Sequence, residues 1–136
     1  MTHIIHPTAT GVAITTPTGE VPIEQVAQQV APDGNYAIVD SSAIPTDRFF
    51  RAAWVLRNNT LEIDLAKAKE IGQQRRRAAR DAEFKPLDDV IAKQIPGIDL
   101  DAAEAGRALI RKKYEAMQVA INDAKTPDEI KAALGV

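Results

Sequence analysis

The stretch WVLRNNTLEID, residues 54–64, contains the two signals that decide the fold. Its apolar segments, residues 54–56 and 61–63, flank the dipeptide Asn58-Asn59. Asparagine tolerates the left-handed backbone conformation that a tight hairpin turn requires, so this stretch predicts a β-hairpin. Asp64 follows directly and predicts the N-cap of a helix that begins at the next residue.

The chain before this hairpin is also predicted to form short elements. Segments of Thr, Val and Ile lie between prolines and glycines and predict three more strands: residues 4–5, 12–16 and 36–39. Pro22 opens a short helix as its first residue, and residues 32–34 end that helix in a turn. Thr46-Asp47 predicts the start of a helical turn that carries Phe49 and Phe50. Five strands and one small helix predict a compact antiparallel α+β module over residues 1–63.

The composition changes at Asp64. Six acidic residues, three arginines and no lysine precede this residue, whereas residues 64–136 contain thirteen acids and fourteen bases and are rich in alanine. This change predicts a boundary between a β-rich module and a helical region. In the helical region a helix runs from Leu65 through the arginine-rich stretch; at Pro86 it either kinks or gives way to a second helix, and Pro96-Gly97 ends the segment.

Two capping patterns predict the remaining helices. Asp101 and Glu104 have the spacing of a capping box, and the helix that they start has an apolar stripe. Thr126, with proline next and Glu129 three residues on, predicts a short last helix that stops at Gly135. The predicted fold class is therefore α+β: a small antiparallel β-rich N-terminal module, then an α-helical hairpin and a short C-terminal helix.

Composition restricts the function classes. The chain has no cysteine, so it has no disulfide framework and no thiolate site. It has no apolar run near the roughly 20 residues of a membrane span and no signal-peptide pattern, so we expect synthesis in a cytosol and no membrane partner. A net charge of -2 argues against a dedicated nucleic-acid binder. Aromatic residues make up only 4%, so we expect oligomerisation or a partner to complete the burial of apolar surface.

No pattern of side chains predicts a catalytic, cofactor-binding or metal site. His3 and His6 lie in an N-terminal segment that we expect to be frayed and on the surface, and neither has a reason to lie near Ser41 or Ser42. Residues 99–101 resemble the start of a calcium loop, but the glycine and glutamate that such a loop requires are missing. Phosphate-binding glycine motifs are absent. We therefore predict no enzyme, no cofactor and no metal.

Two clusters of side chains are candidates for protein contacts. Four arginines lie close together in the predicted long helix; they form either a solvated face, with Arg77 and Asp81 as an ion pair, or a protein interface, or a nucleic-acid contact. Three aromatic residues lie within six positions; they form either the module core or a partly exposed hot spot beside two arginines. The predicted interface residues are Arg48, Phe49, Phe50, Arg51, Trp54, Arg75, Arg76 and Arg80.

Three segments resemble small proteins of tailed bacteriophages. Residues 47–54, DRFFRAAW, are similar to a D-R-x-F-R-x-A-W motif, and residues 63–71, IDLAKAKEI, to a helix start of the form VDMxKAxEI. Residues 124–132, AKTPDEIKA, resemble the TPEELKA ending of phage tail assembly chaperone-like and tail-fibre-assembly-like proteins. The arginine-rich stretch and the order of the elements are also similar, from about residue 20 onward.

This resemblance implies a non-enzymatic tail-associated protein. Such a protein is either a structural subunit of the virion or a chaperone for assembly of the tail or the tail fibre. Its expected partners are other tail or fibre proteins and copies of itself, first in the host cytoplasm and then, for a structural subunit, in the virion. The alternative from the residues is a nucleic-acid-binding accessory protein that uses the arginine-rich helix around residues 75–80.

Overall fold

The structure is a computed structural model, and it describes residues 1–93 and 100–136. These residues form two compact units, Met1–Ala68 and Lys69–Val136. The predicted stop at Pro96-Gly97 lies outside the described residues. The α+β fold class is confirmed: antiparallel strands occupy the N-terminal unit, and helices make up the C-terminal one.

A three-stranded antiparallel sheet forms the centre of the N-terminal unit. Its strands are β1 (Thr2–Thr8), β2 (Gly11–Thr15) and β3 (Ala37–Asp40), and β1 lies in the middle. Ile4 and Ile5 of β1 point to opposite faces, and both are fully buried. Both faces of the central strand are therefore covered, which explains why two adjacent isoleucines occur there.

The predicted hairpin is confirmed. β4 (Trp54–Arg57) pairs with β5 (Thr60–Ile63), and both asparagines of the turn have positive φ, 51° for Asn58 and 59° for Asn59. Two successive positive φ values are the signature of the type I′ turn, whose twist matches that of the strands. Trp54 of this hairpin packs into a core with Ile5, Val12 and Ala37.

The short elements of this unit differ from their predicted boundaries. Helix α1 (Ile23–Val30) packs against β1, and Pro22 is its N-cap rather than its first residue. The helical turn predicted to start at Thr46-Asp47 has 3₁₀ geometry: Asp47 accepts the Phe49 N–H at 2.9 Å, and the Arg51 N–H donates to the Arg48 carbonyl at 3.1 Å. The regular 3₁₀ helix, Arg51–Ala53, comes slightly later than predicted. A second 3₁₀ turn, Ser41–Ala43, follows β3.

Helix α2 (Leu65–Lys93) begins as predicted after Asp64, whose carboxylate accepts the Ala66 N–H at 3.1 Å. It continues through Pro86, so of the two alternatives for that proline a single helix is the one observed. The proline leaves one backbone carbonyl without its helical donor.

Helix α3 (Leu100–Asp123) runs antiparallel to the C-terminal unit's part of α2, which confirms the helical hairpin. Side chains of α2 contact progressively earlier residues of α3: Gln73 donates to the Gln118 carbonyl at 3.1 Å, and Glu83 accepts from Lys113 at 3.1 Å. The predicted capping box is wrong. The helix already includes Asp101, which lies in its first turn, and Glu104 pairs with Arg107 instead.

Helix α4 (Pro127–Leu134) has both predicted ends. Thr126 accepts the Glu129 N–H at 3.2 Å, and Gly135 closes the helix with φ 76°. The buried Ile130 of α4 packs close to Gly72 of α2, at a point where α2 has no side chain. This close approach joins the last helix to the hairpin.

Candidate functional site

The predicted aromatic and basic cluster belongs mainly to the core. Trp54 has 0% and Phe50 3% of its surface exposed, so the core interpretation applies to both, and neither offers its side chain to a partner. Arg51 lies over the Trp54 ring at 4.5 Å and donates to the Val12 carbonyl at 2.6 Å. Phe49 is half-buried and meets Phe50 edge to face at 4.8 Å. Exposed Arg48 is the member of this cluster that lines a pocket.

The arginines of α2 do not share one face. Successive residues of a helix are about 100° apart, so Arg75, Arg76 and Arg77 point in three directions. Arg76 is buried, with 5% exposure, and its Nε donates to the Gln73 side chain at 2.7 Å. Burial, followed by the charges of Arg80 and Arg77, lowers the pKa of Arg76. Because Arg76 does not expose its guanidinium, it does not fit the predicted interface role.

The ion pairs observed at Asp81 and Arg57 differ from the single Arg77–Asp81 pair that the sequence suggests. Asp81, predicted to pair with Arg77, lies 3.9 Å from Arg80. Arg57 lies 3.8 Å from Glu62 and 3.7 Å from Asp64, so these two carboxylates share a cation. This arrangement, together with the capping role of Asp64, accounts for both acids as structural groups.

The N-terminal segment is not frayed, contrary to expectation. Residues 4–8 pair with β2 and residues 2–5 pair with β3, and His3 and His6 are half-buried. No pattern in the sequence predicts a histidine beside a serine, yet His3 Nε2 lies 2.7 Å from Ser41 Oγ. The register of β1 with β3, in which His3 is opposite Val39, brings together residues 38 positions apart.

Ser41 is not set up as a nucleophile by this pair. Its hydroxyl donates to the Met1 carbonyl at 3.0 Å, so its oxygen accepts from His3 Nε2. The other ring nitrogen, Nδ1, lies 2.9 Å from the Thr16 hydroxyl, where a catalytic triad would have a carboxylate. The hydroxyl groups of Ser41 and Thr16 thus hold the His3 imidazole ring between them.

Helix α3 has an exposed apolar face that sequence analysis did not separate from its buried one. The buried side of the helix includes Tyr114 and Ile121. Five exposed residues repeat on the other side at alternating spacings of four and three: Ala105, Leu109, Lys112, Ala116 and Val119. We call these five residues the outer stripe. Leu109 is 70% and Val119 59% exposed, which is unusual for two large aliphatic residues in one line.

The spacing of the outer stripe is that of a coiled-coil seam. Apolar residues that alternate three and four apart pack into the holes of a second helix. Heptad spacing in the sequence of α3 was the signal that could have found this surface, but the buried stripe of the same helix has similar spacing and hid it. Among the described residues, this is the candidate site that we favour for function.

Other site types are restricted by the geometry. In the described part of the chain, no three His, Asp or Glu side chains come together in a way that would hold a metal ion. None of the helices among residues 1–93 and 100–136 is long and apolar enough to cross a membrane. Comparisons of the chain with protein-family models, with curated proteins and with solved structures find no match.

Proposed function

We propose that this chain is a non-enzymatic assembly protein that acts through protein–protein contacts, with the outer stripe of α3 as its binding surface. The exposure of Leu109 and Val119 on one heptad-spaced line is the observation that supports this function. The same two side chains would lose water contact against a second helix, and burial of apolar surface is the main driving force of such association.

The second helix comes from another copy of this chain, in antiparallel orientation. With the twofold axis near residue 114, each Leu109 packs against Val119 of the other copy, and each Lys112 lays its aliphatic stem over Ala116. A parallel pair would instead set Lys112 against Lys112. The antiparallel pair is therefore self-complementary in the size of the side chains that face each other.

A cross-linking experiment tests this register. The chain contains no cysteine, so single Leu109→Cys and Val119→Cys variants each report one position. Mixed together under oxidising conditions, the two variants should form a disulfide-linked heterodimer. Each alone should not, because like positions lie about 15 Å apart along the antiparallel pair, too far for a disulfide.

A charge substitution tests the energetic role of the outer stripe. Leu109→Glu should convert a dimer to a monomer in analytical ultracentrifugation, because it sets a carboxylate in the seam. Gln118→Glu adds the same charge on the opposite side of the helix from Leu109 and should leave the dimer unchanged. A wild-type chain that remains monomeric at about 100 µM, with no heterodimeric cross-link, would contradict self-association.

The biological setting that we propose is the tail of a bacteriophage. It is supported by the resemblance of residues 47–54, 63–71 and 124–132 to phage tail assembly chaperone-like and tail-fibre-assembly-like proteins. The chain either stays in the particle as a structural subunit or assists assembly of tail or fibre proteins in the host cytoplasm. Mass spectrometry of purified virions separates the two roles: a stoichiometric chain identifies a subunit, and its absence leaves the chaperone role.

Capture from infected cells tests the tail setting itself. A tagged chain should recover tail or fibre proteins, and the Gln118→Glu variant should recover them equally well. Recovery of no phage protein by either would argue against this setting.

Nucleic-acid binding by residues 75–80 is the less favoured function, because the arginines diverge around α2 and Arg76 is buried. A titration of duplex DNA at low salt should show no binding.

A further inference from the structure

An open pocket of about 280 Å³ lies in the N-terminal unit, beside the ends of β1 and β2 and the segment after β3. Part of its lining is polar and comes from residues far apart in the chain: His3, Thr16, Ser41, Thr46 and Arg48. The rest is apolar: Ile14, Ile44 and Pro45. Ligand sites in proteins often combine an apolar wall with a few polar groups, as this one does.

The hydrogen bonds fix the imidazole and leave Arg48 as the cation of the pocket. His3 is held by Ser41 at 2.7 Å and by Thr16 at 2.9 Å, one at each ring nitrogen. With a hydroxyl group bonded at each ring nitrogen, the imidazole is held in one position in the pocket lining. The guanidinium of Arg48 is always charged and presents several N–H donors in one plane, which suits an oxyanion with two oxygens.

The single arginine of the pocket lining matches a ligand with one negative charge. Asp40, next to Ser41 in the chain, accepts the Ser42 N–H at 3.0 Å and lies 3.4 Å from the N-terminal ammonium group. The Ser42 backbone donor, then its side chain and the terminal charge, lower the pKa of Asp40 to about 2. Asp40 lies outside the pocket lining and is paired with the N-terminal ammonium group, so the charge of the pocket is that of Arg48, which matches one carboxylate.

We propose that this pocket binds an aliphatic carboxylate, with the carboxylate on Arg48 and the aliphatic part against Ile14, Ile44 and Pro45. This site is separate from the outer stripe of α3 and does not depend on the function proposed above. The ligand chemistry fits both a free branched-chain acid and the C-terminal carboxylate of a peptide whose last residue is aliphatic.

Isovalerate is the probe for the site. Added to the full-length ¹³C/¹⁵N-labelled protein, it should cause saturable shifts of the Ile14 and Ile44 methyl signals and of the His3 ring, with a dissociation constant on the order of 1 mM, as expected for so small a ligand. Isovaleramide has the same shape without the charge and should bind at least about tenfold more weakly, since a charge-assisted hydrogen bond is lost.

Two substitutions assign the charge to Arg48. Arg48→Gln should weaken isovalerate binding at least about tenfold, while Arg48→Lys retains part of it because it keeps the charge. Arg57→Gln removes an exposed arginine of the same unit outside the pocket and should have no effect. Amide spectra of each variant confirm that the unit remains folded. Equal losses in Arg48→Gln and Arg57→Gln would overturn the proposal, because they would indicate general screening.

The source of the carboxylate is distinguished with peptides. Acetyl-Ala-Val with a free C-terminus, compared with its C-terminal amide, reports on a chain terminus; binding at least about tenfold tighter than isovalerate identifies a peptide as the natural source. Binding of the peptide no tighter than isovalerate identifies a free acid. No saturable shift with either the acid or the peptide at about 50 mM would show that the pocket does not bind this class of ligand.

Discussion

Trp54, Ile4 and Ile5 fill the core of the N-terminal unit with large side chains that have no exposed surface, whereas the C-terminal unit has a glycine, Gly72, where Ile130 comes closest to α2. One unit gains its stability from a few bulky residues. The other combines buried Ile121, Ile130 and Tyr114 with backbone that approaches closely and with polar contacts along a helical hairpin. The comparison teaches that a chain poor in aromatic residues can pack one unit around a tryptophan and the other around isoleucines that contact a helix at a glycine.

The contrast extends to what each unit leaves exposed. Apart from Met1, the exposed large apolar residues of the N-terminal unit are Val21 and Ile38, at 41% and 39%, and its pocket has polar walls. The C-terminal unit, by contrast, buries Tyr114 and Ile121 on one side of α3 and leaves Leu109 and Val119 on the other. A helix of small residues packs closely with little buried area, and α3 keeps a second apolar face exposed. This difference is why we assign self-association to the helical unit.

Removing the indole ring of Trp54 should have the largest effect. Trp54→Ala leaves a cavity beside Ile5 and Val12, and we expect a loss of about 3–5 kcal/mol in the free energy of unfolding of the N-terminal unit. Urea denaturation followed by NMR signals of β1 measures it. Trp54→Phe keeps most of the ring volume and removes an indole N–H that has no hydrogen-bond partner among the described residues, so its loss should be much smaller. Equal losses in the two variants would show that ring volume does not hold this core.

Adding a methyl group at Gly72 tests the close packing of the helical unit. A Cβ there would lie 2.7 Å from Ile130 Cγ2, a branched and fully buried side chain that cannot easily move. Gly72→Ala should therefore destabilise the unit by roughly 1–2 kcal/mol, the cost of overpacking less the gain in helix propensity. Thermal unfolding followed by circular dichroism measures the change.

Gly106→Ala is the matched control within the same hairpin. Its Cβ would lie 3.2 Å from Leu87 Cδ1, the end of a half-buried and flexible side chain. The contact is tight but can relax, so the helix-propensity gain of up to about 1 kcal/mol should leave this variant neutral or slightly more stable. If both alanines destabilise the unit equally, close approach at Gly72 is not what distinguishes its packing.

Local chemistry explains the parts of the fold that the sequence predicts correctly. The Asn58-Asn59 turn, the Thr126 cap and the Gly135 stop each depend on residues that are neighbours in the chain, so short-range rules suffice for them. The start of α3 is the exception among the caps. There, two acidic residues with the right spacing, Asp101 and Glu104, lie inside the helix instead of at its end.

Sequence reasoning misses the features that depend on pairing between distant segments. The contact of His3 with Ser41 requires the register of β1 against β3, which alternation within one strand does not specify. The burial of Arg76 and the close approach at Gly72 require the packing of one helix on another. The sequence groups Arg48 with aromatic neighbours, whereas the structure places Arg48 in the lining of a pocket and buries Phe50 and Trp54 in the core.

Asp40, the last residue of β3, should contribute the smallest of these effects on stability, and its contribution should depend on pH in a defined direction. The folded-state pKa of Asp40 is about 2, below its ordinary value of 3.8, so the ionised form is favoured by folding. Its stabilisation is therefore complete above about pH 4 and is lost as the pH falls toward 2. Asp40→Asn should lower the urea midpoint of the N-terminal unit slightly at neutral pH, and the gap from wild type should close near pH 2. Ser42→Ala retains the backbone N–H that contributes most to the shift, so it should keep most of this pH dependence. A gap that stays constant from neutral pH to pH 2 would show that the carboxylate's charge does not stabilise this exposed corner, in contrast to the core, where ring volume at Trp54 should matter at every pH.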